Sequence, residues 1–198
     1  MPRAGLDPEA VVRLALAVVD DGGPTGYADL TLAAVAARAG VAVPSLYKHV
    51  AGLPALRRAV AQRCIEQLAD ALEETAEGRQ GADALVALAW TMRRFAHDHP
   101  GRYAATQTEL LGVPEEATEL QAAATRSVAV VARAVGELGV PTDRHVDAVR
   151  AVRSAVHGFV VLEAAGGFGM PDDLEVSFDY LVRGLVGALA STSASQRS

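Results

Sequence analysis

Tyr47-Lys48-His49 sets a phenol, an ammonium and an imidazole in succession, and Lys48 is the one lysine in a chain with seventeen arginines. Just upstream, Val43-Pro44-Ser45 offers two small apolar surfaces and a hydroxyl that can donate or accept a hydrogen bond. Such groups suit recognition rather than bond-making. The arrangements that catalysis needs are missing from the sequence: there is no nucleophile elbow, no glycine-rich phosphate loop and no HExxH. His97-Asp98-His99 does not put both imidazoles on one helix face, and no second ligand pair stands at a recognisable spacing. Neither a metal nor a cofactor is expected. Cys64, alone, can form no intramolecular disulfide and reads as a small buried hydrophobe.

The recognition groups need a scaffold, and the stretch Thr31 to Val50, TLAAVAARAGVAVPSLYKHV, supplies one. Thr31 can cap a first helix by accepting from backbone N–H groups two or three residues on. Leu32, Val35, Ala36 and Ala39 recur at helical spacing and make one face apolar. Gly40 falls where a helix end needs positive φ. Val41 returns to the core, and Leu46 and Val50 give a second helix its buried edge. That leaves Val43, Pro44, Ser45, Tyr47, Lys48 and His49 facing outward. Two short helices joined by a glycine corner describe a helix-turn-helix.

Thr31, Val35-Ala36, Ala39-Gly40-Val41 and Leu46-Tyr47-Lys48-His49-Val50 closely resemble the DNA-binding domain of TetR-type bacterial transcriptional regulators, over roughly residues 7–60. The resemblance implies that the second helix lies in the major groove, with Val43, Pro44 and Ser45 at base edges. It implies that Tyr47, Lys48 and His49 hold phosphates, helped by Thr31 at a helix N-terminus. Two departures point to modest DNA affinity without undoing the assignment. Ala42 stands where a capping Ser or Thr is usual, which costs about 1 kcal/mol. Leu53 stands where a lysine commonly follows, removing a phosphate partner.

Charge is divided along the chain. Residues 1–62 carry a net +1 and the remainder −7, giving −6 overall. A near-neutral head predicts weak non-specific affinity, since that term comes from phosphate neutralisation. Hydrophobic residues make up 51% but aromatic ones only 5%, so the core must be built mainly from Ala, Val and Leu. No apolar run reaches the ~18 residues of a membrane span, the first ten residues lack a signal-peptide h-region, and the expected location is cytoplasmic.

Helical periodicity runs through the chain and strand alternation does not persist, so the fold is expected to be all-α. The spacing predicts helices over about 7–21, 54–75, 82–97, 102–111, 114–138, 143–165 and 172–190 beside the helix-turn-helix, with Ser191–Ser198 frayed. The expected domains are a three-helix head over 1–53 and a helical bundle over 54–198 that dimerises. In the resembled family the helix beginning near Pro54 joins head to body, and its tilt sets the spacing of the heads. Trp90 and His157-Gly158 look like the tryptophan- and His-Gly-containing regulatory domain of one branch of TetR-type proteins. Trp90, Met92, Phe95, Tyr103, His157 and Phe159 are the candidate effector residues, having apolar bodies and few polar tips. Arg93, Arg94 and Arg102 are expected to reach solvent. The effector should then be small, largely apolar, and neutral or weakly acidic. The wide apolar stripe of the last helix, with the run from Val156 to Leu162, reads as a homodimer interface, with Val156, Phe178, Leu181, Val182, Leu185, Val186 and Leu189 named for it. Palindromic double-stranded DNA is the expected partner. The rival reading is a helical ligand-binding or protein-interaction module whose head no longer binds specific DNA.

Overall fold

The computed structural model describes residues 6–107 and 118–195, and all regular structure among them is helical. The α-helices are α1 (Pro8–Asp21), α2 (Leu32–Ala39), α3 (Val43–Leu46), α4 (Leu53–Ala76), α5 (Gly81–Asp98), α6 (Pro100–Thr106), α7 (Thr118–Glu137), α8 (His145–Ala164) and α9 (Leu174–Ser195). Short 3₁₀ turns stand at Gly23–Thr25 and Thr142–Arg144.

The chain forms two compact units. One takes in the described residues of Met1–Gln67 and Asp98–Ala123; the other takes in those of Leu68–His97 and Ala124–Ser198. Helix α4 therefore contributes to both, while α6 belongs with the head. The boundary expected after residue 53 falls at the first residue of α4.

In the first unit, α1 starts as its sequence dictates: Asp7 accepts from the Ala10 N–H at 2.6 Å and Pro8 opens the helix. Val11, Ala15, Val19, Leu30, Val35, Leu46, Leu56, Val60 and Cys64 are fully buried together. Helix α6 lies close against α1. A Cβ on Gly101 would sit 2.8 Å from the Val19 carbonyl oxygen and 2.7 Å from that of Gly23, so only glycine permits the approach. Arg102 holds the same contact with a two-pronged bond to Asp20 (2.8 and 2.6 Å) and a third bond to Gln67 at 3.0 Å.

The second unit packs α5, α8 and α9 with parts of α4 and α7 around Leu72, Leu85, Leu88, Val135 and Phe178, all buried. Arg126 of α7 grips Glu73 and Asp70 of α4, and Glu137 accepts from the Gly81 N–H at 3.1 Å.

Several expected boundaries move. Helix α3 ends at Leu46 rather than Val50, and Tyr47 to His49 form turns. The His49 and Val50 N–H groups still both reach the Leu46 carbonyl, at 2.8 and 3.0 Å, so the chain folds back tightly before α4. Helix α6 begins at Pro100; its expected end near Leu111 and the expected start of α7 at Pro114 lie outside the described residues. Of the tail expected to fray, residues 196–198 lie outside the described residues, and 191–195 instead continue α9. There Ser191 and Thr192 donate back to the Gly187 and Ala188 carbonyls, at 2.9 and 3.0 Å, which keeps polar residues helical.

Candidate nucleic-acid interface and effector site

The head builds its outward face from the core upward. Thr31 Oγ1 accepts from the Ala34 N–H at 3.2 Å and starts α2. Gly40 ends it with φ +67°, and the Val41 N–H returns to the Ala36 carbonyl at 3.0 Å. With Val35, Ala36 and Leu46 buried, the corner is fixed and the remaining side chains have one way to point. Pro44, Tyr47 and Lys48 are exposed; Val43, Ser45 and His49 are half-buried. Tyr47 is 59% exposed, which leaves its phenol free of the core. Val43 also packs against the core cluster, so less of it is offered outward than its spacing suggests. Helix α3 has no side-chain cap at Ala42, as its sequence implies. Leu53 packs on the same core, which explains an apolar residue where a phosphate-binding lysine is usual.

Sequence reasoning missed Arg57. Its guanidinium donates to the Ala28 carbonyl at 2.7 Å and the Leu30 carbonyl at 3.3 Å, while the Tyr27 hydroxyl donates to the Arg57 carbonyl at 3.3 Å. These bonds tie α4 to the segment that leads into α2. Only the spacing of Arg57 from the head, 27 residues beyond Leu30, hid the link.

In the second unit the candidate effector residues separate. Trp90 meets Phe178 edge-on with ring centroids 5.0 Å apart, and Phe159 meets Phe178 at 5.1 Å and Phe168 at 4.7 Å. Met92, Phe95 and His157 are half-buried. Tyr103 lies in α6 of the first unit, buried there. Burial, reinforced by the positive charge of Arg153, pushes the His157 imidazole below its ordinary pKa. Along α5, α8 and α9 runs a crevice walled only by apolar side chains, among them Leu85, Ala89, Val152, Val156, Val182 and Val186.

The arginines expected to reach solvent do not all do so. Arg93 makes a two-pronged bond to Glu163, at 2.9 and 2.6 Å, and its side chain is only 12% exposed. Arg102 is engaged by Asp20 and Gln67, whereas Arg94 is exposed as expected and donates to Thr91 at 3.1 Å. Arg93 and Arg102 find partners 70 and 82 residues away, which spacing on a single helix does not reveal. Among the described residues no group of three His, Cys, Asp or Glu side chains is placed to hold a metal ion. No helix among them is long and apolar enough to cross a membrane.

The residues expected at a two-fold interface also fall differently. Val156, Phe178, Val182 and Val186 are buried against the unit's own core, and Leu181, Leu185 and Leu189 are half-buried. Part of the apolar stripe of α9 closes on α5 and α8 of its own unit, a pairing that periodicity alone does not distinguish from a second chain. Within the expected run 156–162, Val161 and Leu162 are exposed, and so are Val176 and Tyr180 on α9. Gly184 and Gly187 face open space beside them.

This head and this helical body define a one-chain helix-turn-helix regulator, and the comparisons agree. Residues 85–185 match the family described as "Tetracyclin repressor-like, C-terminal domain". The chain is 32% identical to YobS of Bacillus subtilis, an HTH-type transcriptional regulator, over 95% of both chains. It is 38% identical to an HTH-type transcriptional regulator of Mycobacterium tuberculosis, over 91% of this chain and 80% of that one. The fold matches a TetR regulator of Streptomyces coelicolor (TM-score 0.71, 21% identity, 96% of this chain and 100% of that one). It also matches a TetR variant of Acinetobacter baumannii in complex with minocycline (TM-score 0.68, 22% identity, 96% and 99%). The chain belongs to the TetR family of helix-turn-helix transcriptional regulators, a family of DNA-binding proteins and not of enzymes.

Proposed function

We propose that the protein is a homodimeric repressor that a small, largely apolar effector releases from palindromic DNA. The observation that carries this reading is the head's outward face. Tyr47 and Lys48 stand exposed after a fixed glycine corner, with Ser45 and Pro44 one turn ahead. Lys48, Tyr47 and His49 hold phosphates and set the register, while Val43, Pro44 and Ser45 meet base edges and thymine methyls. Thr31, its hydroxyl committed to the cap, offers backbone N–H groups at the start of α2. Contacts so small discriminate bases weakly, and the sequence-dependent shape of the DNA shares the task.

The dimer forms through the exposed faces of α8 and α9, where Val161, Leu162, Val176 and Tyr180 flank glycines that admit close approach. The effector enters the second unit near Trp90, Phe159 and His157. Trp90 with His157-Gly158 supports placing the body in the tryptophan- and His-Gly-containing branch. The bound minocycline of the Acinetobacter relative supports a small-molecule effector. Release requires that the effector bind the non-DNA conformation better, because equal binding shifts nothing.

A gel shift against the DNA upstream of the chain's own coding sequence tests the reading. A retarded band competed by the same duplex and not by a scrambled one supports it. Binding that is equal for both leaves a helical module without specific DNA.

A further inference from the structure

Arg93 occupies an unusual place for a guanidinium. Its carbon lies 5.3 Å from the Trp90 ring centroid, 5.2 Å from that of Phe178 and 5.9 Å from that of Phe159. All three distances are within the range in which a cation is attracted to a ring face. Glu163 closes the fourth side with two charge-assisted bonds at 2.9 and 2.6 Å. Phe168, from the loop between α8 and α9, packs on Phe159 at 4.7 Å and extends the aromatic wall. Asp173 and Glu175, exposed at the start of α9, add further attraction for a positive charge at this point. One cation thus faces three rings and the carboxylate of Glu163, in a field that two more distant, exposed carboxylates make somewhat more negative.

That excess decides the chemistry of any visitor. An anion arriving here meets the Glu163 carboxylate and a guanidinium that this carboxylate already satisfies. A cation meets the negative faces of three rings and a carboxylate with planar, two-pronged geometry. The apolar crevice along α5, α8 and α9 shares its helices with the cage: Ala89, Val156 and Val182 lie about one turn from Arg93, Phe159 and Phe178. Apolar surface therefore adjoins the place where the planar cationic head sits.

We propose that Trp90, Phe159, Phe178 and Glu163 form an aromatic cage for an organic cation with a guanidinium or amidinium head, and that Arg93 is its internal occupant, displaced when the ligand arrives. The proposal rests on the reading that the body holds an effector, and it replaces the neutral or weakly acidic ligand that the sequence suggested. Arg93 leaves only as the incoming cation takes over its bonds to Glu163, so that the carboxylate is never left unpaired, and its methylene stem can carry the head to solvent. Displacement frees α5 from the end of α8, since the Arg93–Glu163 bonds span the two helices.

Trp90 is the only tryptophan in the chain, so its emission reports directly on the cage. The full-length protein is titrated with benzamidine and, as an anion of matching shape, benzoate. Benzamidine should change the emission saturably and benzoate should not. Arg93→Met keeps an apolar stem and vacates the cage, and its half-saturation with benzamidine should fall about tenfold. Adding Glu163→Gln to that variant should abolish the gain. A response to benzoate instead, growing in Glu163→Gln alone, would make the site anionic in preference and overturn the proposal. So would an Arg93→Met protein that keeps its helical circular dichroism yet binds benzamidine no better than the parent. Should Arg93→Met not fold, the contrast between benzamidine and benzoate on the parent protein decides. Operator release by some other small molecule, with Trp90 blind to benzamidine, refutes the cage and leaves the repressor reading intact. Absence of specific operator binding refutes the repressor reading, whatever Trp90 reports.

Discussion

Lys48 stands exposed on a head whose other cations are mostly engaged. Arg13 pairs with Glu9, Arg38 with Asp21 and Arg63 with Glu66, while Arg57 is turned inward on backbone carbonyls. Phosphate attraction therefore rests on few side chains. Lys48→Ala should weaken binding to all sequences alike and reduce the slope of log affinity against log salt by about 1. A change in sequence preference with the slope intact would show that Lys48 reads bases. Burial pushes the Cys64 thiol up to about 12, against the partial opposition of Arg102. Little thiolate exists at neutral pH, so iodoacetamide should label Cys64 only as fast as the first unit opens. Labelling at the rate of a free thiol would expose a reactive cysteine. His157 behaves in the opposite sense, its pKa lowered from 6.5 because burial and Arg153 disfavour the charged ring. Above pH 6.5 the ring is neutral in both folded and unfolded chains and adds no pH dependence. As pH falls through 6.5 the unfolded chain takes the proton first, so stability is lost down to the lowered folded value. His157→Gln should flatten that acid limb in urea unfolding followed across pH.

At the scale of elements, α3 is too short to hold itself. Four residues with no side-chain cap cannot nucleate a helix alone, so packing of Leu46 and the glycine corner must impose it. Its position is inherited from α2 and α4. Arg57 ties α4 to the carbonyls of Ala28 and Leu30, so a tilt of α4 carries the start of α2 with it. Arg57→Met leaves those carbonyls unpaired and should lower the stability of the first unit by about 1–3 kcal/mol. It should also weaken operator binding more than that loss explains, because the reading helix is no longer held. Equal urea midpoints for variant and parent would remove Arg57 from this role. Gly101 and Arg102 fasten α6 to α1 in the same way, one by fit and one by charge.

For the whole molecule, one head makes few contacts and two are required. Two heads related by a two-fold axis need half-sites about one helical turn (~34–36 Å) or a multiple apart. Tyr180, 83% exposed on α9 among open glycines, stands in the proposed interface. Tyr180→Asp should give a monomer by sedimentation and lose operator binding, since a carboxylate would be buried unpaired between subunits. Leu185→Asp, by contrast, strikes the unit's own packing and should lower stability first. An unaltered dimer in Tyr180→Asp would move the interface off this face.

The helices, their caps and the reading corner were legible from the sequence because they depend on neighbours within four residues. Asp7-Pro8, Thr31 and Gly40 act where they stand, and the structure finds each in its expected role. The Ala- and Val-rich core followed from composition in the same way. The partners of charged groups were not legible. Arg93 and Glu163 are seventy residues apart, Arg102 and Asp20 eighty-two, and nothing local marks either pair. Nor could periodicity say which face of α9 lies inward, since Phe178 and Val182 look alike whether they close a core or meet a second chain. Local sequence determined the elements and the side chains offered at the corner. Tertiary packing alone decided that Arg93 sits among three rings, because only folding brings α5, α8 and α9 together.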